Sequence, residues 1–522
     1  MLPLSLTLLV TATTARAYVW PSPQLDALES ARWDQSGYRS HATAAQVTPC
    51  NLYLFGTSAD KTGRTNAADW IRTAYHDMAT HNVADGTGGL DASIRFPEEQ
   101  ARAENSGNGF SNTVSVFTSD RYISLADNLA LAMIIAVENC GGPEIAPSTP
   151  TPPGFTPTEM IGLVACGHTF GGVQHAVFPD VVPELNDPNN TESSAPFDTT
   201  VAHFDNHVAT EYISGTTQNP LVVGLNETKN SDKRIFASDS NATMLSFANS
   251  PDTFASTCAD LFARMVDTVP SAVQLTDVIT PLPVKPSSLQ LTLNGDTLTF
   301  NGEVRFWNMA EDATRMVRLL WDDHVGGANN VTLSFAGVSS AAAGRYSAAW
   351  YSFGSPSPLT FTAAAGIKSM RFAVNSELED QGGAGFALQD GVVFSTSSCL
   401  ISHSPWAARI DVAVRNGLNP ARVFLEAEAR DSVNRTIVVE TDLSPAGATG
   451  TVYSIWSVKV DNASPVSSWT ICAEVDGVKI AADGSTTSLL SMALCAASTV
   501  RVTNTAVCVR KMARYVTVLF DP

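Results

Sequence analysis

The spacing of apolar residues changes character near the middle of the chain. In the first half, apolar side chains recur every three or four positions, the spacing that places them on one face of an α-helix. This spacing predicts a helix from Asn66 to Met78 and another from Ile123 to Asn139, which ends at Cys140-Gly-Gly-Pro. The apolar stripe of the first helix consists of Ala67, Trp70, Ile71, Ala74, Tyr75 and Met78.

A third helix is predicted to begin at Thr156. Thr156-Pro-Thr-Glu159 has the pattern of a capping box, with proline at the first helical position. The preceding run from Ala146 to Gly154 is rich in proline and cannot form a helix or a central strand. The helix after it is apolar and leads into Cys166-Gly-His168-Thr-Phe-Gly.

In the second half, apolar residues alternate with polar ones, which predicts β-strands. The first three strands are expected around Leu289–Leu293, Leu298–Phe300 and Val304–Phe306, with tight turns at Asn294-Gly295 and Asn301-Gly302. The fold class is therefore multidomain, with an all-α domain followed by all-β modules. We place the helical domain at residues 18–278, a proline-rich linker at 279–288, and two β-sandwich-like modules at 289–398 and 399–522.

Several features indicate an extracellular protein among these 522 residues. Residues 1–17 have an apolar core and end in Ala15-Arg16-Ala17, a cleavage pattern of signal peptides, although no basic residue precedes the core. A buried amino-terminal helix is the alternative. All eight cysteines follow this segment, so disulfides are expected. Six Asn-x-Ser/Thr sites are candidates for glycosylation: Asn189, Asn226, Asn241, Asn330, Asn434 and Asn462.

The net charge of −20 argues against nucleic acid and anionic lipid as partners, and no later segment is long and apolar enough to span a membrane. We find no catalytic constellation in the β half. Its histidines, such as His324 and His403, stand alone and are expected to be structural or to lie at the surface.

Candidate chemistry is concentrated near the predicted helix that ends at Met78. Arg72 and His76 stand four positions apart and share a helix face, where the imidazole could move a proton of a peroxide and the guanidinium could stabilise a leaving oxygen. Asp77 lies on another face. Together with Asp91 and Ser93 in Gly-Gly89-Leu-Asp-Ala-Ser it supplies oxygen ligands of the kind that calcium takes.

These motifs resemble the plant, fungal and bacterial haem peroxidase superfamily. Arg72, His76 and Asp77 match its distal helix, Gly89, Asp91 and Ser93 its distal calcium loop, and Gly-His168-Thr-Phe-Gly its proximal histidine motif. The resemblance runs from about Cys50 to about Asp267 and implies an all-α haem-peroxidase-like domain. It also implies a secreted enzyme that reduces hydrogen peroxide and oxidises phenolic or aromatic donors through a ferryl intermediate, with haem b and two calcium ions as cofactors.

The resemblance assigns further residues. His168 is the axial ligand of the haem iron, Asp239 accepts a bond from its ring, and Phe197 is the aromatic neighbour on the proximal side. Asn105 accepts a bond from the distal histidine, although an ordinary loop cap is an alternative reading. The second calcium site consists of Thr169, Asp198, Thr200 and Asp205. A disulfide is expected between Cys50 and Cys140. Cys166 is either free or paired with Cys258, and connectivity among Cys399, Cys472, Cys495 and Cys508 stays open.

The sequence departs from the family between residues 143 and 154. The interval from His76 to His168 is shorter than in the family by about one helix and a pair of strands, which help to wall the haem edge. Tyr75 stands where the family has phenylalanine or tryptophan, and Thr65, Asp69 and Gln174 cannot form the manganese site of some members. The alternative function is therefore a catalytically impaired peroxidase-fold scaffold whose β modules bind a cell-wall polysaccharide or another partner.

Overall fold

The computed structural model describes residues 22–56, 62–145, 154–276, 278–432, 435–461, 469–482 and 492–495. The predicted signal segment lies outside these ranges, as do residues 146–153 of the proline-rich run, Asn434, Asn462 and Cys508. The predictions made for them are therefore untested. Within the described ranges, no helix has both the length and the apolar character that crossing a membrane requires.

The first half of the chain is mainly helical, as predicted. The helix expected from Asn66 to Met78 has those bounds, and the next one begins at Leu125 because Ser124 and Asp127 form a capping box there. The described helices are α1 (Pro23–Trp33), α2 (Asn66–Met78), α3 (Pro97–Gln100), α4 (Gly109–Val116), α5 (Leu125–Asn139), α6 (Pro157–Gly167), α7 (His207–Ser214), α8 (Pro220–Val223), α9 (Ser231–Phe236), α10 (Ala242–Asn249) and α11 (Pro251–Asp267).

The helical core forms around α2, α5, α6 and α11. Trp70 and Ala74 on α2 are buried together with Ala132 and Ala136 on α5. The predicted disulfide Cys50–Cys140 ties the end of α5 to the loop before α2, and a second disulfide, Cys166–Cys258, joins α6 to α11. Each closes a loop of about 90 residues and stabilises the fold by roughly 4–5 kcal/mol on the chain-entropy estimate.

The strands lie mostly in the second half. The described strands are β1 (Ser36–Gly37), β2 (Gly172–Gln174), β3 (Ser194–Pro196), β4 (Val284–Asn294), β5 (Thr297–Trp307), β6 (Val317–Asp322), β7 (Ala328–Thr332), β8 (Ser334–Ala341), β9 (Tyr346–Phe353), β10 (Leu359–Thr362), β11 (Ser369–Val374), β12 (Glu377–Glu379), β13 (Phe386–Ala387), β14 (Val392–Ser395), β15 (Cys399–His403), β16 (Trp406–Arg415), β17 (Arg422–Arg430), β18 (Thr436–Asp442), β19 (Ser444–Thr449), β20 (Tyr453–Asp461), β21 (Trp469–Val475) and β22 (Val478–Ala482). Strands β2 and β3 form a small pair inside the helical part, so that part is not purely α.

The turn predicted at Asn294-Gly295 joins β4 to β5, but the one predicted at Asn301-Gly302 is wrong. Both residues lie inside β5, which continues to Trp307. A side chain at Gly302 would collide with Leu289 and with the ring of Phe353, so this glycine serves close packing and not a turn.

Two sandwiches share one large sheet. Part of the eleven-stranded sheet packs on a five-stranded sheet around residues such as Phe306 and Phe372, and another part packs on a four-stranded sheet around Val412 and Ile471. The predicted boundary between residues 398 and 399 does not separate the two cores. Strand β14 pairs with β4 of the first sandwich and β16 of the second, while Val392 belongs to the second core.

The predicted domain limits at 18–278 and 279–288 also need correction. Strand β4 begins at Val284, inside the expected linker. Strand β1, near the amino terminus, pairs with β8. Arg305 on β5 is fully buried between Glu29 of α1 and Asp34, and the pair with Asp34 measures 2.8 Å. The amino-terminal segment therefore belongs as much to the β half as to the helical half.

Both ends of α5 contact the β half. Before its first turn, Arg121 forms an ion pair with Glu426 on β17. At its last turn, Arg345 donates to the carbonyl oxygens of Glu138, at 2.9 Å, and of Gly142, at 2.7 Å. Since α5 packs against α2, the β half supports the helix that carries Arg72 and His76.

Candidate active site

A cavity of about 560 Å³ lies between α2 and α6. Arg72 and His76 line it from α2, and His168 lines it from the end of α6. Apolar side chains make up much of the remaining wall, among them Ile71, Leu163, Phe170, Val173, Phe262 and Met265. This size and lining are typical of a binding site for an apolar molecule with a few polar contacts.

Arg72 is held as a cation at one side of the cavity. Its Nη2 donates to the carbonyl oxygen of Ser106 at 3.1 Å, and its guanidinium lies 4.2 Å from the centre of the Phe110 ring. Burial lowers the pKa of Arg72 to about 10, so the side chain keeps its charge at neutral pH. The position therefore supplies a fixed positive charge beside His76.

His76 has a defined tautomer. His76 Nδ1 lies 2.7 Å from Asn105 Oδ1, while Asn105 Nδ2 donates to the carbonyl oxygen of Glu99 at 2.7 Å. Because that second bond fixes the amide, Oδ1 must accept and Nδ1 must carry the hydrogen. Burial, followed by the charge of Arg72, lowers the pKa of His76 to about 4. The Nε2 atom is therefore a free base at neutral pH.

His168 is oriented by two neighbours. It caps the carboxyl end of α6, and its ring stacks on Phe197 with centroids 4.0 Å apart and planes 10° apart. Its Nδ1 lies 2.6 Å from Asp232 Oδ2. Burial acts to raise the pKa of Asp232, but the nearby His168 and the hydrogen bonds hold that pKa below its ordinary value. The Nε2 atom of His168 is the nitrogen left for a ligand.

The assignment of Asp239 as the acceptor for His168 is wrong, because Asp232 occupies that position. Asp239 instead precedes α10, where its Oδ2 accepts from Thr243 N at 2.9 Å and from the Thr243 hydroxyl at 2.6 Å. Asp232 lies in the first turn of α9, four residues before the buried Phe236. That spacing puts both side chains on the inward face and is the signal that could have identified Asp232.

The expected distal calcium residues lie together where the loop after α2 contacts Asp77, which is in the last turn of that helix. Asp77 is fully buried, and its carboxylate accepts from the backbone N–H of Asp91 (2.9 Å), Ala92 (2.6 Å) and Ile94 (2.8 Å). The Ser93 hydroxyl lies 3.4 Å from Asp77 Oδ1, and Gly89 adopts a φ of +109° next to this loop. Burial raises the pKa of Asp77 to about 6. These bonds order the loop through the chain's own donors.

The expected proximal calcium residues fit a cation better. Thr169 bonds through its hydroxyl to the backbone of Asp205, and Thr200 donates to Asp198 Oδ1 through its N–H at 2.8 Å. Asp198 is 1% exposed, and its Oδ2 has no hydrogen-bond partner within the described ranges. Burial, together with the charges of Asp205 and Glu211, raises the pKa of Asp198 to about 6. A cation would satisfy this buried oxygen.

Two further observations bear on the cofactors. Across the part of the chain that the structure describes, no three His, Cys, Asp or Glu residues cluster as a metal site. The cavity itself fits an iron cofactor, since its walls are largely apolar and two histidines with an available Nε2 line it.

The comparisons with known proteins agree with a peroxidase-like segment. The Peroxidase family model matches residues 55–151, which include Arg72, His76 and Asn105. The match ends inside the proline-rich run, and His168 and Asp232 lie beyond it. Residues 55–151 are thus a segment of the haem peroxidase superfamily, and the family match does not extend over the β half.

Relatives of two kinds share parts of the chain. It is 37% identical over 344 residues to a WSC domain-containing protein of Arthroderma benhamiae, covering 59% of this chain and 46% of that protein. It is 39% identical over 77 residues to probable L-ascorbate peroxidase 3, peroxisomal, of Oryza sativa subsp. japonica. That alignment covers 14% of this chain and 26% of that protein. It is also 39% identical over 89 residues to L-ascorbate peroxidase 5, peroxisomal, of Arabidopsis thaliana. That alignment covers 17% of this chain and 32% of that protein.

The chain spans less than half the length of each of these three relatives. Among solved structures, a pullulanase complexed with maltotriose from Anoxybacillus sp. LM18-11 aligns with 37% of this chain and 25% of that chain, at 12% identity and a TM-score of 0.12. A score this low supports no argument about fold or function.

Proposed function

We propose that the protein is an extracellular haem peroxidase that reduces hydrogen peroxide with electrons from phenolic or other aromatic donors. The observation that carries the proposal is that His76 and His168 line the same cavity, and that the Nδ1 of each is engaged by its own partner. The two histidines suit different tasks. His76 has the cation of Arg72 beside it and suits proton transfer, whereas His168 has the Asp232 carboxylate at its Nδ1 and suits metal binding.

His168 would hold the iron of haem b through Nε2. Bound haem would supply the redox centre at which the peroxide O–O bond breaks. Asp232 accepts the Nδ1 hydrogen of His168, which increases the electron density that the imidazole offers to a metal. Phe197 fixes the plane of the ring by stacking on it.

From α2, the chain would move the proton of the peroxide. His76 Nε2 takes the proton from one oxygen and returns it to the other, which then leaves as water. Arg72 stabilises the negative charge that develops on the leaving oxygen. The low pKa of His76 keeps its base form populated at neutral pH, and Asn105 keeps the lone pair on Nε2.

Calcium would reinforce both walls. Asp198, whose Oδ2 has no partner among the described residues, supports a cation next to the His168 segment, together with Thr169, Thr200 and Asp205. A second cation would be held where the loop after α2 contacts the end of that helix, by Asp77, Gly89, Asp91 and Ser93. Backbone N–H groups of the loop already donate to the Asp77 carboxylate there. The disulfides among the described residues favour an extracellular location.

Haem titration of the purified protein tests the proposal. We expect a Soret band that saturates at one haem per chain and shifts on addition of hydrogen peroxide. His168→Ala should abolish haem retention, whereas His403→Ala, in the β half, should retain it. His76→Ala should retain haem but slow the reaction with peroxide by about 10²- to 10⁴-fold, because the positioned base is gone. The absence of a Soret band with haem in excess would refute the proposal.

A second candidate function is a peroxidase-fold scaffold whose β half binds a cell-wall polysaccharide. The alignment with a WSC domain-containing protein favours it, because it covers 59% of this chain, far more than the peroxidase segment. Pull-down of the intact protein by insoluble wall polysaccharide separates the two candidates. Binding without haem uptake supports the scaffold, and haem uptake with peroxide turnover supports the enzyme.

A further inference from the structure

Asp232 has a second strong donor besides His168. Asn219 Nδ2 lies 2.9 Å from Asp232 Oδ2, the same oxygen that accepts from His168 Nδ1 at 2.6 Å. Asn219 is 1% exposed and Asp232 is equally buried, so water does not compete for this bond. One carboxylate oxygen is therefore shared between the imidazole and a buried amide.

The orientation of the Asn219 amide is fixed by the start of α8. Asn219 caps that short helix, and its Oδ1 accepts from Leu221 N at 2.8 Å. Since the oxygen is committed to the cap, the amide nitrogen must face Asp232. The helix cap thus ensures that Asn219 approaches the carboxylate as a donor.

The aromatic neighbour of His168 cannot donate a hydrogen bond to Asp232. Phe197 stacks on the imidazole, and its ring has no N–H group. The other side-chain donor recorded near Asp232 is the hydroxyl of Ser231, which reaches the opposite oxygen at 3.3 Å. Within the described ranges, Asn219 is therefore the closest competitor of His168 for Asp232.

We propose that Asn219 is a positioning residue that limits how strongly Asp232 draws the Nδ1 hydrogen from His168. A carboxylate oxygen that accepts two bonds is a weaker acceptor in each of them, because the second donor already stabilises part of its charge. The inference deepens the proposed function, because iron at His168 would sense the electron density that this competition sets. Without Asn219, the imidazole would gain imidazolate character.

Two substitutions separate the hydrogen bond that Asn219 donates to Asp232 from its capping of α8. Asn219→Ser keeps an oxygen that can cap α8 but is too short to reach Asp232, whereas Asn219→Ala loses both interactions. Asn206→Ser is the matched control, because Asn206 is a buried asparagine whose amide donates to the carbonyl oxygen of Phe247, away from Asp232. Thermal unfolding of all three variants confirms that each is folded.

The first measurement uses the protein without haem. We expect the proton resonance of His168 Nδ1–H to move downfield in both Asn219 variants, because its bond to Asp232 strengthens, and to stay in place in Asn206→Ser. An unchanged resonance in folded Asn219→Ser would overturn the inference. This result does not depend on haem binding and so stands apart from the success or failure of the proposed function.

The second measurement uses the haem-loaded protein. Stronger imidazolate character favours ferric over ferrous iron, so the midpoint potential should fall in both Asn219 variants. A tenfold change in the ferric preference corresponds to about 59 mV. A fall in Asn219→Ala alone would assign the effect to the helix cap and contradict the inference.

Discussion

The bond between His76 and Asn105 decides which nitrogen of the His76 ring is available for the proposed chemistry. The amide of Asn105 is anchored by the carbonyl oxygen of Glu99, so the imidazole receives a fixed acceptor and cannot exchange tautomers freely. Burial then keeps the ring neutral. Base strength and base direction at this position are thus set by two different features of the structure.

Replacing Asn105 by leucine tests the directional part. Asn105→Leu should retain haem and lower the second-order rate constant for hydrogen peroxide by about 10- to 100-fold, the usual cost of removing a partner that orients a functional side chain. Stopped-flow absorption at the Soret band measures the rate. Asn112→Leu is the control, because Asn112 donates to the Tyr53 hydroxyl at 3.0 Å and does not contact His76. Equal rates in the two variants would remove Asn105 from the mechanism.

The pKa of His76 gives a second expectation. The neutral ring is the base, so the rate constant for peroxide should be flat above about pH 5 and should fall about tenfold per pH unit below the pKa of about 4. Burial causes this low value, and the charge of Arg72 contributes next. A midpoint near 6.5 would mean that the ring is solvated. His76→Gln should show a slow rate without this midpoint.

At the scale of elements, α6 is fixed at both ends. Thr156 and Glu159 form the capping box at its start, where Arg264 of α11 pairs with Glu159 and donates to the carbonyl oxygen of Gly154 at 2.8 Å. The disulfide Cys166–Cys258 joins its last turn to α11. His168 follows directly, so its position depends on how α6 lies against α11.

Glu159 makes the stability of this element depend on pH. The hydrogen bond from Arg264, followed by the bond from the Thr156 N–H, lowers the pKa of Glu159 to about 2. A carboxylate whose pKa is lowered on folding stabilises the protein above its unfolded value of 4.5, and this contribution is lost as pH falls from about 4.5 to about 2. The difference in free energy of unfolding between the wild type and Glu159→Gln should disappear over that window in urea titrations. A constant difference would contradict the assignment.

The Asp198 site yields opposite expectations with and without a cation. If calcium binds there, chelator should lower the melting temperature of the wild type, and Asp198→Asn should be less stable and insensitive to chelator. Without a cation, the raised pKa of Asp198 means that the ionised form destabilises the fold at neutral pH, so Asp198→Asn should be more stable. Differential scanning calorimetry distinguishes the two results. Asp239→Asn is the control, because Asp239 is half-exposed, precedes α10 and accepts from Thr243 N.

The sequence was informative wherever local pattern determines structure. The stripe on α2, the capping box of α6 and the Asn294-Gly295 turn are local, and each appears at the expected residues. Asp232 was missed because Ser231-Asp232 and Ser238-Asp239 are the same dipeptide seven positions apart, and the four-residue spacing from Asp232 to the buried Phe236 was not used to distinguish them. Gly302 was misread because close packing by Phe353 comes from a distant strand.

At the scale of the whole molecule, the helical and β halves share buried charge. Arg305 is fully buried between Glu29 and Asp34, and the extra ion pair of Lys285 with Glu29 measures 2.7 Å. None of these contacts could be read from the sequence, because their members lie 256 to 276 positions apart and no local pattern pairs them. The strand pairing of β1 with β8 is hidden for the same reason.

Removing one member of this cluster should weaken both halves. Arg305→Met leaves the buried Asp34 without its cation and Glu29 with Lys285 alone, and it should lower the free energy of unfolding by about 3–5 kcal/mol. Circular dichroism for the helices and tryptophan fluorescence for the whole chain should report the loss in chemical denaturation. Arg318 lies on the exposed face of β6, so Arg318→Met should change the free energy of unfolding little. Unfolding of the β half with the helices unaffected would contradict the shared cluster.

The Arg305 cluster also has a consequence for the timing of synthesis. Glu29 leaves the ribosome 276 residues before Arg305 does, which at roughly 5–20 residues per second is a delay of about 14 to 55 s. During that interval the two carboxylates near the amino terminus have no buried cation to meet, and β1 has no edge to join. The helices that surround the cavity can assemble early, but the segment in front of them is completed last, when the middle of the chain emerges.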